Sequence, residues 1–174
     1  MAPNTSVLKP KLWIVLFHVI VGLFALQCGS SLAPGSWKRD RDALTEPNRD
    51  VVKDMKREIQ KFYGAPYLWG GDTPRGTDCS GMIKTIYKNA VDINLPHNAD
   101  EISKLGVSVS KRRLMFGDLV FFSNLWSGRA THMGMYIDRG YFLHASSSRG
   151  VVLSKLNDKP YNRQFVGAKR ILDY

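Results

Sequence analysis

The spacing of apolar residues changes once along this chain. Val51, Val52, Met55, Ile59 and Phe62 recur at three- and four-residue intervals, with Lys53, Lys56, Arg57 and Lys61 between them. Asn48 can cap a helix here and Gly64 can end it, so the spacing predicts a first helix. A second stripe, Met82, Ile83, Ile86, Tyr87 and Ala90, predicts a helix that opens at Asp78 or Cys79 and stops where Asp92-Ile93-Asn94-Leu95-Pro96 breaks the period. A shorter helix is expected between Asn98 and Leu105. Beyond the basic cluster Lys111-Arg112-Arg113 the texture becomes that of strands: Leu119–Phe122, Met133–Ile137, Tyr141–His144, Val151–Leu153 and Phe165–Ala168, parted by Gly, Ser, Asp and Asn. Asp138-Arg139-Gly140 reads as a hairpin turn. Helices followed by a run of strands predict an α+β domain with an antiparallel sheet.

The first 47 residues do not continue this pattern. Lys9 and Lys11 precede an uncharged apolar run, Leu12 to Leu26, after which Gln27-Cys28-Gly29-Ser30-Ser31 turns small and polar. That is the layout of a secretory signal, and the run is shorter than the roughly 20 residues of a membrane span. From Gly29 to Pro47, Ser, Gly, Pro and mixed charge predict a tether. The expected organisation is therefore a signal over 1–28, a tether over 29–47 and one domain over 48–174. Ala25-Leu26-Gln27-Cys28 is similar to a bacterial lipobox, although Leu26 and Gln27 stand where small residues are usual. Cys28 is accordingly the expected lipidation site and anchor to a membrane of the cell envelope.

Charge and cysteine usage narrow the chemistry. The formal net charge of +10 suits an anionic partner. Export and the scatter of the basic residues argue against nucleic acid, leaving envelope surfaces and polymers. There are two cysteines, Cys28 and Cys79, so no disulfide framework is on offer and Cys79 is expected to be a free thiol. At a helix N-terminus, partial positive charge and unpaired N–H groups favour a thiolate and could hold an oxyanion, which makes Cys79 a candidate nucleophile. Among four histidines, His18 lies in the signal and His97 at a loop start, whereas His132 and His144 fall near adjoining ends of two hairpin strands. They can serve as base and orienting group. The competing reading makes Cys79, His132 and His144 metal ligands; with no dedicated fourth ligand in the sequence, the nucleophile is preferred and neither metal nor cofactor is expected.

Tyr67-x-Trp69-Gly70-Gly71, Gly76-Thr77-Asp78-Cys79-Ser80-Gly81, Leu95-Pro96, Gly117-Asp118-Leu119-Val120-Phe121-Phe122, His132-Met133-Gly134-Met135-Tyr136-Ile137 and His144-Ala145-Ser146 occur in one order from about Phe62 to the C-terminus. This string resembles the NlpC-type cysteine peptidases of bacterial cell walls, in particular the short lipoprotein members. The resemblance implies a papain-like α+β fold with Cys79 as nucleophile, His132 as general base and His144 as the orienting third residue. It also implies that the Tyr67 hydroxyl faces the thiol and that Asp78 and Ser80 help to recognise a peptide amine. The implied substrate is the peptidoglycan stem peptide, cut after D-glutamate or at a cross-link. The chain departs from the family at Leu95-Pro96-His97 and Glu101, where Arg and Gln are frequent. Two other readings are a lipid acyltransferase or thioesterase, disfavoured because Cys79 precedes His132, and a non-catalytic wall-binding lipoprotein.

Overall fold

The computed structural model describes residues 48–124 and 128–172. The expected signal and tether, and Cys28 with them, lie outside the described residues. Helix α1 is Arg49–Phe62, with the Asn48 side chain accepting from the Asp50 N–H. Two short strands, β1 (Asp72–Thr73) and β2 (Gly76–Thr77), lead into helix α2, Cys79–Val91. The second helix ends at Asp92 in the left-handed conformation, φ 56°. The third predicted helix is a single turn, α3 (Ala99–Ile102), capped by Asn98.

The strand region follows the sequence expectation closely. After β3 (Val107–Ser108) and a 3₁₀ turn at Lys111–Arg113 come β4 (Leu119–Phe122), β5 (His132–Asp138), β6 (Tyr141–Ser146) and β7 (Gly150–Lys155). A one-turn helix α4 (Tyr161–Gln164) precedes β8 (Phe165–Arg170). The six strands lie in the order β3-β8-β4-β5-β6-β7, with every neighbouring pair antiparallel. The β5–β6 hairpin turns through Arg139 at φ 49° and Gly140 at φ 83°. Two successive positive φ values match the right-handed twist of the strands they join.

Alternation along the strands sorts their side chains between two layers. Leu119, Phe121, Met133, Met135, Leu143 and Ala145 pack against Met55 and Phe62 of α1 and Met82, Ile83, Ile86 and Tyr87 of α2. On the other face, Val120, Phe122, Phe142 and Ala168 are covered by Leu156, Tyr161 and Phe165. Full burial of side chains of this size stabilises by roughly 1.5–3 kcal/mol each, which makes the α2–sheet contact the anchor for whatever α2 carries. The loop leaving α1 is also stitched to β7, Gly64 N–H donating to the Val151 carbonyl at 2.9 Å and Val151 N–H to Ala65 at 2.8 Å. Among the described residues no helix is long and apolar enough to cross a membrane.

The outer part of the sheet is held by a buried charge. Asp118, fully buried, takes two hydrogen bonds from the Arg170 guanidinium at 2.7 and 2.8 Å and one from the Met115 N–H at 2.8 Å. It thereby fastens the entry of β4 to the end of β8. Arg170 is a quarter exposed and also donates to the Arg113 carbonyl, so Asp118→Ala costs the charge-assisted hydrogen bonds and should lower unfolding free energy by about 1.5–3 kcal/mol, read as a lower denaturant midpoint.

Candidate active site

The site begins with the residue before the thiol. Asp78 has an extended backbone, φ −98° and ψ −179°, and its carboxylate caps α2 by accepting from Gly81 N–H at 2.8 Å. It also accepts from Gly70 N–H at 2.9 Å and from Ser80 Oγ at 3.0 Å, and His97 Nε2 stands 3.1 Å from both of its oxygens. One carboxylate thus joins the Gly-rich loop, the first turn of α2 and the segment after Leu95-Pro96. These hydrogen bonds hold Asp78 below its usual carboxylate range despite burial, so it is charged at neutral pH.

Cys79 is the first residue of α2 and carries a free thiol that is half-buried. Burial pushes the thiol up to about 11, and the neighbouring Asp78 charge pushes the same way; hydrogen bonds from the backbone N–H groups of Met133, Ser80 and Cys79 itself pull it down without prevailing. The helix terminus pulls in the expected direction through these N–H groups, and burial acts against it. Desolvation outweighs the terminus, and Cys79 rests protonated at neutral pH. The Met133 contact also sets the thiol against the first residues of β5, beside His132.

His132 and His144 reach each other because of what lies between them. The β5–β6 pairing, Met135 opposite Leu143, continues to set Gly134 across from His144. A Cβ on Gly134 would come within 2.6 Å of the Phe142 ring, 2.5 Å of the Leu143 carbonyl and 3.2 Å of the His144 Cβ. With that space left open, His132 Nε2 and His144 Nδ1 sit 3.0 Å apart. His144 Nε2 lies 2.9 Å from Ser154 Oγ and 3.2 Å from the Tyr161 hydroxyl, while Arg149 donates to Ser154 Oγ at 3.3 Å. Two tautomer sets satisfy the row, and one of them leaves the groove side of His132 free to accept a proton. In that set His144 carries its proton on Nε2 and donates outward, its bare Nδ1 accepts from His132 Nε2–H, and His132 Nδ1 keeps a lone pair. Burial lowers His132 to about 4 and His144 to about 3, so both rings are neutral at pH 7.

Tyr67, Trp69, Gly70, Asp78, Cys79, Ser80, His97, Asn98 and His132 line one open groove of about 500 Å³. A protonated thiol beside a neutral imidazole with a free lone pair is the starting state of a cysteine nucleophile activated by a general base. A sequence model of the NlpC/P60 family matches residues 64–170. The chain belongs to the NlpC/P60 family. It is 33% identical over 153 residues to the probable endopeptidase NlpC of Escherichia coli K12, spanning 88% of this chain and 96% of that protein. With the murein DD-endopeptidase/murein LD-carboxypeptidase MepS of the same organism it shares 35% identity over 125 residues, 72% of this chain and 65% of MepS. The crystal structure of an NlpC/P60 family protein from Bacillus cereus matches with a TM-score of 0.66 at 35% identity, over 74% of this chain and 42% of that one.

Within this NlpC/P60 domain, the expected site residues Tyr67, Asp78, Cys79, Ser80 and His132 meet at the groove, and His144 stands directly behind His132. Burial, with the nearby Cys79 and Asp78, raises Tyr67 above the usual phenol value, so it faces the groove as a neutral hydroxyl. Ser80 is buried and spends its hydroxyl on Asp78. Among the described residues no three His, Cys, Asp or Glu side chains converge as metal ligands would. The two histidines address each other instead of a common point. Sequence reasoning passed over His97, Ser154, Tyr161 and Arg149. His97 had a signal, since it stands at the departure from Leu-Pro-Arg. Ser154 had none without the register that pairs β6 with β7.

Two measurements check this account. Removing both acceptors of the His144 proton, in Ser154→Ala with Tyr161→Phe, should convert that His144 tautomer into a mixture, seen as averaged ring ¹⁵N shifts at His144 and His132. The buried neutral rings also set a pH dependence. Unfolded histidines titrate near 6.5 whereas these titrate at about 4 and about 3, so the unfolded chain binds more protons throughout that window. Their contribution is fully present above pH 6.5 and is lost as pH falls towards 3. Denaturant midpoints should drop more steeply over this range in the wild type than in His144→Asn, and parallel slopes would refute the assignment.

Proposed function

We propose that this NlpC/P60 protein is a peptidoglycan endopeptidase, a cysteine hydrolase that cuts stem peptides through a thioester on Cys79. The observation that carries the reading is the row Cys79, His132, His144, Ser154: a half-buried, protonated thiol beside a neutral base that is hydrogen-bonded from behind. In the reaction His132 Nδ1 takes the thiol proton as Sγ attacks the scissile carbonyl. The oxyanion forms at the opening of α2, where first-turn N–H groups such as that of Cys79 have no partner inside the helix. Collapse passes the proton from His132 to the leaving amine. Water, deprotonated by the same imidazole, then releases the carboxylate and restores the thiol. His144 and Ser154 act through His132 by keeping its lone pair on the groove side.

The substrate reading is supported by what related proteins are called. Besides MepS these include a murein DD-endopeptidase MepH of Escherichia coli, 33% identical over 75% of this chain, and a gamma-D-glutamyl-L-lysine dipeptidyl-peptidase of Bacillus cereus, 35% identical over 79% of it. The bonds in view are therefore the D-glutamyl to diamino acid bond and the cross-link between stems. The substrate lies outside the cytoplasm, which accords with residues 1–28 as an export signal, 29–47 as a tether and Cys28 as a lipid attachment point. A peptide amine would meet Asp78 and Ser80 by exchanging with His97, the partly exposed side chain among the groups around that carboxylate.

Digestion of defined stem peptides and cross-linked dimers, followed by mass spectrometry, tests the proposal and names the bond. Cys79→Ala and His132→Ala should each lower kcat/KM by at least about 10³. Intact fragments after incubation with wild-type protein would sink the reading. Because His132 is lowered to about 4, the acid limb of kcat/KM should fall well below the ordinary histidine value of about 6.5.

A further inference from the structure

Away from the groove, α1 opens with cations around a single first-turn acid, Asp50. Arg49 and Lys53 occupy its first turns, where the positive end of the helix dipole disfavours cations. Arg49 with Lys53, and Lys53 with Arg57, are like charges at i, i+4, a spacing that destabilises. Arg57 is offset by Asp54 at 3.0 Å, but no carboxylate pairs with Arg49, Lys53 or Lys56 among the described residues. Lys56 stands 5.7 Å from the centroid of the Phe116 ring, while Arg49 and Lys53 are left facing outward.

These cations belong to a wider surface. A hollow lined by Arg49, Val52, Lys56, Leu114, Phe116 and Tyr136 adjoins one lined by Arg49, Lys53, Lys56 and Arg57, and it shares Leu114 and Tyr136 with a third lined by Lys111, Arg112 and Arg139. Asp138, 3.4 Å from Arg139, is the one acidic residue lining any of the three. Val52, Leu114 and Phe116 give the first hollow a half-exposed apolar floor. None of the lining residues is shared with the groove at Cys79.

The position of this face along the chain puts one anionic surface within its reach. It starts at Arg49, next to the point where the described chain begins, and 19 residues separate Asn48 from Cys28 at the end of the apolar run Leu12–Leu26. Whatever their conformation, 19 residues reach at most about 65 Å. A bilayer holding the apolar run or an acylated Cys28 would keep the start of α1 within that distance, and the excess of cations on this face would turn it towards an anionic leaflet. We propose that the face formed by the start of α1, the 3₁₀ turn and the β5–β6 hairpin is a docking surface for anionic phospholipid headgroups, seating the domain on the membrane with its groove free. Basic side chains gain from a negatively charged leaflet only within about a Debye length of it, so docking requires contact and yields to salt.

The test uses the full chain on vesicles of phosphatidylglycerol with phosphatidylethanolamine, or of phosphatidylcholine alone, treated with a water-soluble amine-acylating reagent and read site by site by mass spectrometry. Modification of Lys53 and Lys56 should fall at least about fivefold on the anionic vesicles and recover in 1 M salt, while Lys84 and Lys104 react equally on both. Arg49→Gln with Arg112→Gln should weaken the protection of Lys53 and Lys56. Equal reactivity of those lysines on the two vesicle types, failure to associate with the anionic ones, or equal protection of Lys84 and Lys104 would overturn the proposal. Protection of the same lysines by a purified anionic wall polymer but not by vesicles would overturn the membrane assignment.

Discussion

The carboxylate of Asp78 is the point on which the groove is assembled. Gly70, Ser80, Gly81 and His97 all direct a hydrogen-bonding group to it, so the loop that walls the groove and the helix that presents the thiol cannot move independently. The same charge raises the thiol it positions. Mechanical and electrostatic roles therefore pull in opposite directions at one residue, and the compromise is a thiol held accurately but not ionised. Activation has to come from across the groove.

That second half rests on the sheet. The histidine pair depends on a missing side chain at Gly134, on a tight turn at Arg139-Gly140 that fixes how β5 and β6 pair, and on β7, which supplies Ser154. Phe142 stacks on His144 at 4.9 Å between ring centroids, and Tyr161 closes the far side. The surroundings that keep both rings neutral are thus the same aromatic packing that holds them in place. Base strength and orientation come from one set of contacts.

Much of this was legible beforehand for physical reasons that can be named. Helical stripes and short apolar strands are strong periodic signals, and α1, α2 and the five predicted strands all formed with boundaries displaced by a residue or two. Cys79 and His132 were legible because reactive residue types at an element start are few in this chain. The two-residue strands β1, β2 and β3 were not, since a pair so short is dictated by the tertiary contacts around it. His97 passed as a loop residue because its partner lies 19 positions away. The balance at the thiol was not legible, because a helix terminus is visible in sequence and burial is not.

That protonated resting state has a consequence beyond peptide hydrolysis. Oxidants and disulfides react with thiolates far faster than with thiols, and thiolate is scarce at neutral pH when burial places the group at about 11. A free thiol outside the reducing cytoplasm, as proposed for Cys79, would otherwise drift towards sulfenic acid or mixed disulfides. In the proposed reaction, a thiol that keeps its proton until a substrate carbonyl is in place is durable as well as selective.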